Sequence, residues 1–514
     1  MASRLSRIYR LASMGFVASL LTSTELRADD EGYWPQFRGP QSRGVAAAGD
    51  LPDEFGLEQN LIWKTPIPRG VSSPSIWGDR IFLTAHDDDR DALETICVDR
   101  ITGAIQWRRD TSTEQLERVH KASSAASATP ATDGQRVYAY FGSFGVNCYD
   151  YAGNLVWSHP LEPVENRWGM GASPILAGGR LIVVCDQGGT MRDGSKSDAV
   201  SYVLALDTET GEELWKIDRP RITSGWSTPI VFQPAGEAAP QLVTFSPNRL
   251  SGYRLEDGKR LWRLGKLPHD AVATPAVGEG LIFVSGTVFG GDVENPFRLP
   301  AYGELLKQYD ANKDKRLERS EVPDVSIDPR GRGSQTMTLR HVFDGVDRDK
   351  NKVATFFEWT AARVFVALTS RQESGGGKDE LVAVRLDGSA EKTEPSVAWS
   401  FDRAIPDNPS PLYYKECVYL TKSGGIVSCV NAKTGKALKR KRVSANGKIS
   451  ASPVIGGDRL YICSENGDVV VLDADRQMKQ RAHNKLAERI MATPAIAANR
   501  LYIRTDDHLY AFGK

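Results

Sequence analysis

The sequence predicts an all-β chain, an eight-bladed β-propeller of four-stranded antiparallel blades, with a small helical insertion in the fifth blade. Two observations predict the blades and a third predicts the insertion. A hydroxylated residue precedes a proline at recurring spacing, at Pro74, Pro130, Pro174, Pro229, Pro275, Pro411, Pro453 and Pro494. The gaps between these prolines are 56, 44, 55, 46, 136, 42 and 41 residues, and six of the seven suit a blade of roughly 40 to 50 residues plus loops. Most of the prolines also open a short turn and an apolar run, as in Ser173-Pro174-Ile175-Leu176-Ala177-Gly178-Gly179-Arg180-Leu181-Ile182-Val183. The long gap, from Pro275 to Pro411, carries about 90 residues more than a blade needs, and its middle loses the β-pattern.

In chain order, the first 28 residues read as a secretory signal. Arg4, Arg7 and Arg10 form a positive region, Leu11 to Leu21 is apolar, and Leu26-Arg27-Ala28 offers a cleavage site. This stretch of eleven residues, Ser13 and Ser19 among them, is too short to span a bilayer as a helix, so no transmembrane segment is expected after cleavage. No cysteine precedes Cys97, which excludes a lipoprotein anchor. The expected location is periplasmic or secreted. Residues 29–60 form an N-terminal extension whose Trp34-Pro35-Gln36-Phe37-Arg38-Gly39-Pro40 is expected to pack on the propeller face.

Residues 61–286 and 379–514 are assigned to the propeller. In each unit a proline opens the first strand, where a missing N–H is tolerated. The third and outer strands are joined by a turn best seen in Ala205-Leu206-Asp207-Thr208-Glu209-Thr210-Gly211-Glu212-Glu213-Leu214-Trp215. Asp bonds its own backbone there and Gly accepts positive φ. Variants recur at Asp99 with Gly103 and Trp107, at Asp150 with Gly153 and Trp157, and at Glu256 with Gly258 and Trp262; Asn431 with Gly435 lacks the Trp. The last unit ends after its third strand, Leu509 to Phe512, while Leu61-Ile62-Trp63-Lys64 is an orphan outer strand. Together they complete an eighth blade and remove exposed edges.

This turn resembles the tryptophan-docking repeat of the pyrroloquinoline quinone (PQQ) propeller superfamily, over about residues 60–290 and 380–514. The superfamily includes quinoprotein dehydrogenases and the non-enzymatic propeller of the outer-membrane barrel-assembly machinery. The resemblance implies that each Trp packs between neighbouring blades. For a dehydrogenase it would also imply adjacent cysteines under the quinone and a calcium inside the ring. No two cysteines here are adjacent and no catalytic base can be assigned, so PQQ is not expected as a cofactor. Quinone-dependent oxidoreduction stays as the enzymatic alternative and envelope assembly as a third.

Lys+Arg and Asp+Glu are both 65, with no long basic stripe, which argues against nucleic acid as a partner. The six cysteines, Cys97, Cys148, Cys185, Cys417, Cys429 and Cys463, all fall in predicted strands. Cys417 and Cys429 sit nearly symmetrically about Gly424-Gly425, so they could face each other across a hairpin; free core thiols and a disulfide both stay open. The seven histidines form no metal motif.

The insertion, residues 287–378, carries the most specific chemistry. Asp310, Asn312, Asp314, Glu318 and Glu321 place oxygen side chains at positions 1, 3, 5, 9 and 12 of a loop, with Arg316 offering its carbonyl at position 7. A second copy begins 37 residues later, with Asp347, Asp349, Asn351, Thr355 and Glu358 at the same positions and Val353 at position 7. This resembles the EF-hand calcium loop, in which a hard cation takes six to eight oxygens and the last Glu gives two. Leu305 to Tyr309 and Leu339 to Phe343 read as entering helices, Trp359 to Leu368 as an exit helix, and Leu317 as a short β contact; Pro323 shortens the first exit helix. The usual Gly at position 6 is Lys315 in one loop and Lys352 in the other. Lys in a left-handed conformation costs on the order of 1–3 kcal/mol, and its charge opposes the ion. Weak Ca2+ binding, roughly 10⁻⁴–10⁻³ M, is therefore expected.

Channel-face loops contain His120-Lys121, Arg167-Trp168, Gly225-Trp226 and His269-Asp270. They suit a protein, peptide or carbohydrate contact, and suit loop packing equally well. Gly188 to Ser197 reads as mobile polar surface. The whole is expected to be a monomeric binding or scaffold propeller.

Overall fold

The computed structural model describes residues 32–47, 49–120, 123–191, 195–220, 222–234, 239–288, 299–325, 338–347, 349–373, 377–388 and 393–514. The predicted signal segment, Lys121 and the tip of the 188–197 loop lie outside them.

Eight four-stranded antiparallel sheets follow one another around a ring. The expected prolines stand at the start of the innermost strands, for example before Ser75–Trp77 and Leu412–Tyr414. Closure follows the sequence reading: Leu61–Pro66 pairs antiparallel with His508–Phe512, with Trp63 opposite Ala511 and Lys64 opposite Tyr510. The outer edge of the last blade is thus supplied by the beginning of the propeller, and no open sheet edge is left at the seam.

The residue before each proline has a second role. Ser73 N donates to Thr129 Oγ1 at 2.9 Å, Thr129 N to Ser173 Oγ at 2.9 Å, and Ser173 N to Thr228 Oγ1 at 3.0 Å. Thr274 N then reaches Ser410 Oγ, Ser410 N reaches Ser452 Oγ, Ser452 N reaches Thr493 Oγ1, and Thr493 N returns to Ser73 Oγ, each at 3.0 Å. The link between the fourth and fifth blades is made differently, by Ser227 Oγ donating to the Ala273 carbonyl at 2.9 Å. A belt of buried hydrogen bonds therefore runs around the inner strands and joins every blade to the next.

On the outside the tryptophans join the same neighbours. Trp63, Trp107, Trp157, Trp215 and Trp399 donate Nε1–H to the Arg100, Tyr151, Thr208, Leu255 and Ala432 carbonyls at 3.0–3.1 Å, each in the next blade. Each ring lies on the next blade's turn glycine. Gly211 has φ +74°, and a Cβ there would stand 2.5 Å from the Trp157 ring. Trp262 departs from the expected series: it donates to Gln241 Oε1 in its own blade at 2.7 Å. The fifth blade's two outer strands run nine residues each, Glu380–Gly388 and Thr393–Phe401, longer than the seven-residue pair Ser201–Asp207 and Glu213–Arg219 of the third blade.

The N-terminal extension does more than lie on a face. Trp34 pairs with Ile76 of the first blade, Thr132 N of the second donates to the Pro35 carbonyl at 2.8 Å, and Leu176 N of the third donates to Gln36 Oε1 at 3.2 Å. Arg38 Nη2 then donates to the Pro411 carbonyl of the sixth blade at 2.8 Å, and Val45 pairs with Ile455 of the seventh. The first three blades face the sixth and seventh across the ring, so the segment is a strap over the axis.

The insertion leaves the fifth blade after Leu281–Gly286 and returns at Glu380–Gly388. It holds α1 (Tyr302–Tyr309), α2 (Leu339–Val346) and α3 (Phe356–Glu373), with its own core around Tyr302, Leu317, Phe343 and Trp359. Among the described residues no helix is long and apolar enough to cross a membrane.

Candidate functional site

The two predicted loops lie side by side. Leu317 pairs with Ala354 and Glu318 with Val353 in a short antiparallel ladder. Tyr302 OH donates to the Ala354 carbonyl at 2.8 Å, and Trp359 Nε1 to the Pro300 carbonyl at 2.9 Å, which ties α1 and α3 to the loop pair. Both loops wind around their first acid: Lys315 N donates to Asp310 Oδ2 at 3.0 Å, and Lys352 N to Asp347 Oδ2 at 2.8 Å.

That winding requires the left-handed backbone at position 6, and the structure puts Lys315 at φ 64° and Lys352 at φ 67°. Lys313 and Lys350, at position 4, are left-handed as well, at 61° and 57°. Four non-glycine residues thus hold conformations that favour glycine, twice the number anticipated from the sequence.

The loops differ in how their acids converge. In the second, carboxylate oxygens of Asp347, Asp349 and Glu358 lie within 4.8 Å of one another, the one such acidic group among the described residues. In the first, Glu321 accepts Glu318 N at 3.1 Å, as Glu358 accepts Thr355 N at 3.0 Å in the second, but it turns further inward to accept Ala311 N at 2.9 Å as well. Asp310 Oδ1 is buried there with no hydrogen-bond partner, a lone acceptor that a cation would satisfy. Arg316 and Asn312 are exposed on the same loop, Asn351 and Thr355 on the other. After Glu321 the described chain forms no helix up to residue 325, in line with Pro323.

The channel-face loops pack on one another. His120 meets Trp168 edge-on at 4.3 Å, Trp226 Nε1 donates to the Gly169 carbonyl at 3.0 Å, and His269 Nδ1 lies 3.3 Å from Asp270 Oδ1. Beneath them lie two groups that sequence reasoning missed. Glu117 is buried and accepts Met170 N at 2.7 Å on Oε2, while Oε1 has no partner; burial pushes its carboxyl up to about 8. Asp186 and Arg219 form a buried ion pair, supported by Ser246 Oγ at 3.0 Å from Arg219 Nη1. Desolvation raises the Asp186 carboxyl. The expected mobile loop at 188–197 carries a small hairpin, with Gly189 opposite Ser197.

The six cysteines are free and buried. Cys417 and Cys429 do approach, with Sγ atoms 2.7 Å apart, but diagonally: the register sets Cys417 opposite Asn431 and Cys429 opposite Tyr419. Hydrogen bonding from Cys429 lowers the Cys417 thiol to about 7. The pair spans a hairpin, so its sulfurs are not the adjacent ones that the resemblance associates with a quinone.

The profile of a PQQ-repeat family, described as outer membrane protein assembly factor BamB, matches residues 58–192, 199–295 and 361–514. The chain belongs to this family. The family match stops short of the two loops, residues 310–321 and 347–358, and leaves them unaccounted for. Among solved structures, BamB from Moraxella catarrhalis is similar over 88% of this chain and 99% of its own, at 12% identity and a TM-score of 0.50. A europium-containing methanol dehydrogenase is similar over 95% of this chain and 99% of its own, at 11% identity and a TM-score of 0.55. Likeness at this identity is a likeness of fold. No curated protein matches the chain in sequence.

Proposed function

We propose that this propeller is a non-enzymatic binding or scaffold protein of the bacterial cell envelope, and that the paired loops of its insertion bind calcium. The observation that carries the reading is the convergence of Asp347, Asp349 and Glu358 within 4.8 Å, on a loop laddered to a second one that has the same acid spacing. The unpartnered Asp310 Oδ1 supports the first loop as a second site. In this reading Asp310, Asn312, Asp314, Arg316, Glu318 and Glu321 hold one ion, and Asp347, Asp349, Asn351, Val353, Thr355 and Glu358 the other. Carboxylates and carbonyls are the ligands a hard divalent cation prefers. The role of the ion is to neutralise the acids and fix the two loops against each other.

A binding role for the propeller is favoured by the family description. The partner would be an envelope protein or peptide, and the predicted secretory signal supports that location. Calcium titration by calorimetry on the chain from Asp29 tests the reading, beside an Asp310→Ala, Asp347→Ala double variant. Heat in the parent that vanishes in the variant supports it. No heat at about 10 mM calcium, above the weakest extracellular class, overturns it.

A further inference from the structure

The loop end of the insertion combines three features that calcium binding alone does not need. Phe356 and Phe357 follow the second loop's Thr355, are 56% and 81% exposed, and stand edge-to-face at 5.8 Å. Water-exposed neighbouring phenylalanines on a small module are an apolar surface in search of a cover. On the two laddered loops Lys313, Lys315, Arg316, Lys350 and Lys352 are all exposed, and none is held in an ion pair among the described residues. The ladder Leu317–Ala354 keeps the two basic sets together.

The third feature is charge balance. In the first loop Asp310, Asp314, Glu318 and Glu321 are matched by Lys313, Lys315, Arg316 and Arg319. In the second, Asp347, Asp349 and Glu358 are matched by Arg348, Lys350 and Lys352. Each loop is neutral when empty, and each divalent ion bound leaves it with two positive charges. We infer that the loop pair is a calcium-dependent docking surface for an anionic phospholipid bilayer, with Phe356 and Phe357 entering the interface and the lysines meeting the headgroups. A bilayer suits both halves of this surface: aromatic side chains partition into the interfacial layer, and each basic residue near an anionic leaflet contributes about 1 kcal/mol. An anionic polysaccharide would meet the lysines and leave the phenylalanines in water.

The inference rests on the proposed calcium binding, and the experiment separates the two. The intact chain from Asp29 is sedimented with phosphatidylglycerol-containing vesicles and with phosphatidylcholine vesicles, in calcium and in excess EDTA, beside a Phe356→Ser, Phe357→Ser variant. Calorimetric calcium titration is run on both proteins. The expected result is pelleting with the anionic vesicles in calcium only, lost about tenfold or more in the variant while its calcium heat is unchanged. Calcium heat without pelleting overturns the docking surface and leaves calcium binding standing. Pelleting indifferent to EDTA, with no calcium heat, overturns the calcium reading and the switch with it. Equal pelleting with neutral vesicles, a variant that pellets as the parent does, or preference for heparin over vesicles overturns the bilayer as the partner.

Discussion

The Thr493 N–H donates to Ser73 Oγ at 3.0 Å, and this bond joins the first strand of the last blade to the first strand of the first. The two residues are 420 positions apart, and each also continues the belt in the other direction. The seam of the ring is therefore closed twice, once by this inner bond and once by the outer strand Leu61–Pro66.

Ser73→Ala should destabilise the protein by about 1–3 kcal/mol, because it leaves the buried Thr493 N–H without an acceptor. Ser410→Ala removes the same acceptor between the fifth and sixth blades, for Thr274 N. If the belt acts as a closed unit, the two variants should show similar falls in the denaturant midpoint. A loss confined to Ser410→Ala would mean that the outer strand alone closes the ring.

Gly211→Ala should be costlier than Gly178→Ala, although both glycines have positive φ. A Cβ on Gly211 would stand 2.5 Å from the Trp157 ring, whereas on Gly178 its nearest neighbour is an Arg180 nitrogen at 3.6 Å. Backbone strain of about 1 kcal/mol is common to both; only the first also displaces a buried Trp, which adds on the order of 1–3 kcal/mol of overpacking. Thermal midpoints of the two variants measured together check the order.

The blade pattern was legible in the sequence because it repeats: the period, the prolines and the turn glycines fixed the ring and even its seam. The hydroxyls before the prolines were visible too, but their meaning was not, since each bond joins residues at least 41 positions apart. Trp262 misled because its own blade is regular; the irregularity is in the neighbour that should receive it. Glu117 was invisible for a related reason. Its neighbours Gln115 and Arg118 are exposed, and burial arrives only when Met170 from the next channel-face loop folds over it.

Glu117 should impose a pH dependence on stability. Its carboxyl is pushed up to about 8 in the folded protein by burial, against about 4.3 in an unfolded chain. Between those values the folded state keeps a proton that the unfolded state has lost. Stability from this group is thus fully present below about pH 4.3 and is lost as pH rises through about 8. Glu117→Gln keeps an oxygen for Met170 N and has no proton to release. Urea midpoints at about pH 5 and about pH 8.5 should differ less for the variant than for the parent. Equal differences in the two proteins would remove Glu117 as the cause.

Lys352 tests the second loop from the opposite direction, by improvement. At φ 67° it carries left-handed strain, its own N–H donates to Asp347 at 2.8 Å, and its exposed side chain adds a positive charge to the loop. Lys352→Gly relieves both terms and should tighten calcium binding about tenfold, or about 1.4 kcal/mol. Lys352→Met removes the charge and keeps the strain, so it should recover only part of the gain. Calorimetry on the parent and both variants separates the contributions. If Met and Gly tighten binding equally, charge repulsion is the whole of the defect. If neither tightens it, position 6 does not limit the affinity, and the inward turn of Glu321 in the first loop becomes the feature to change next.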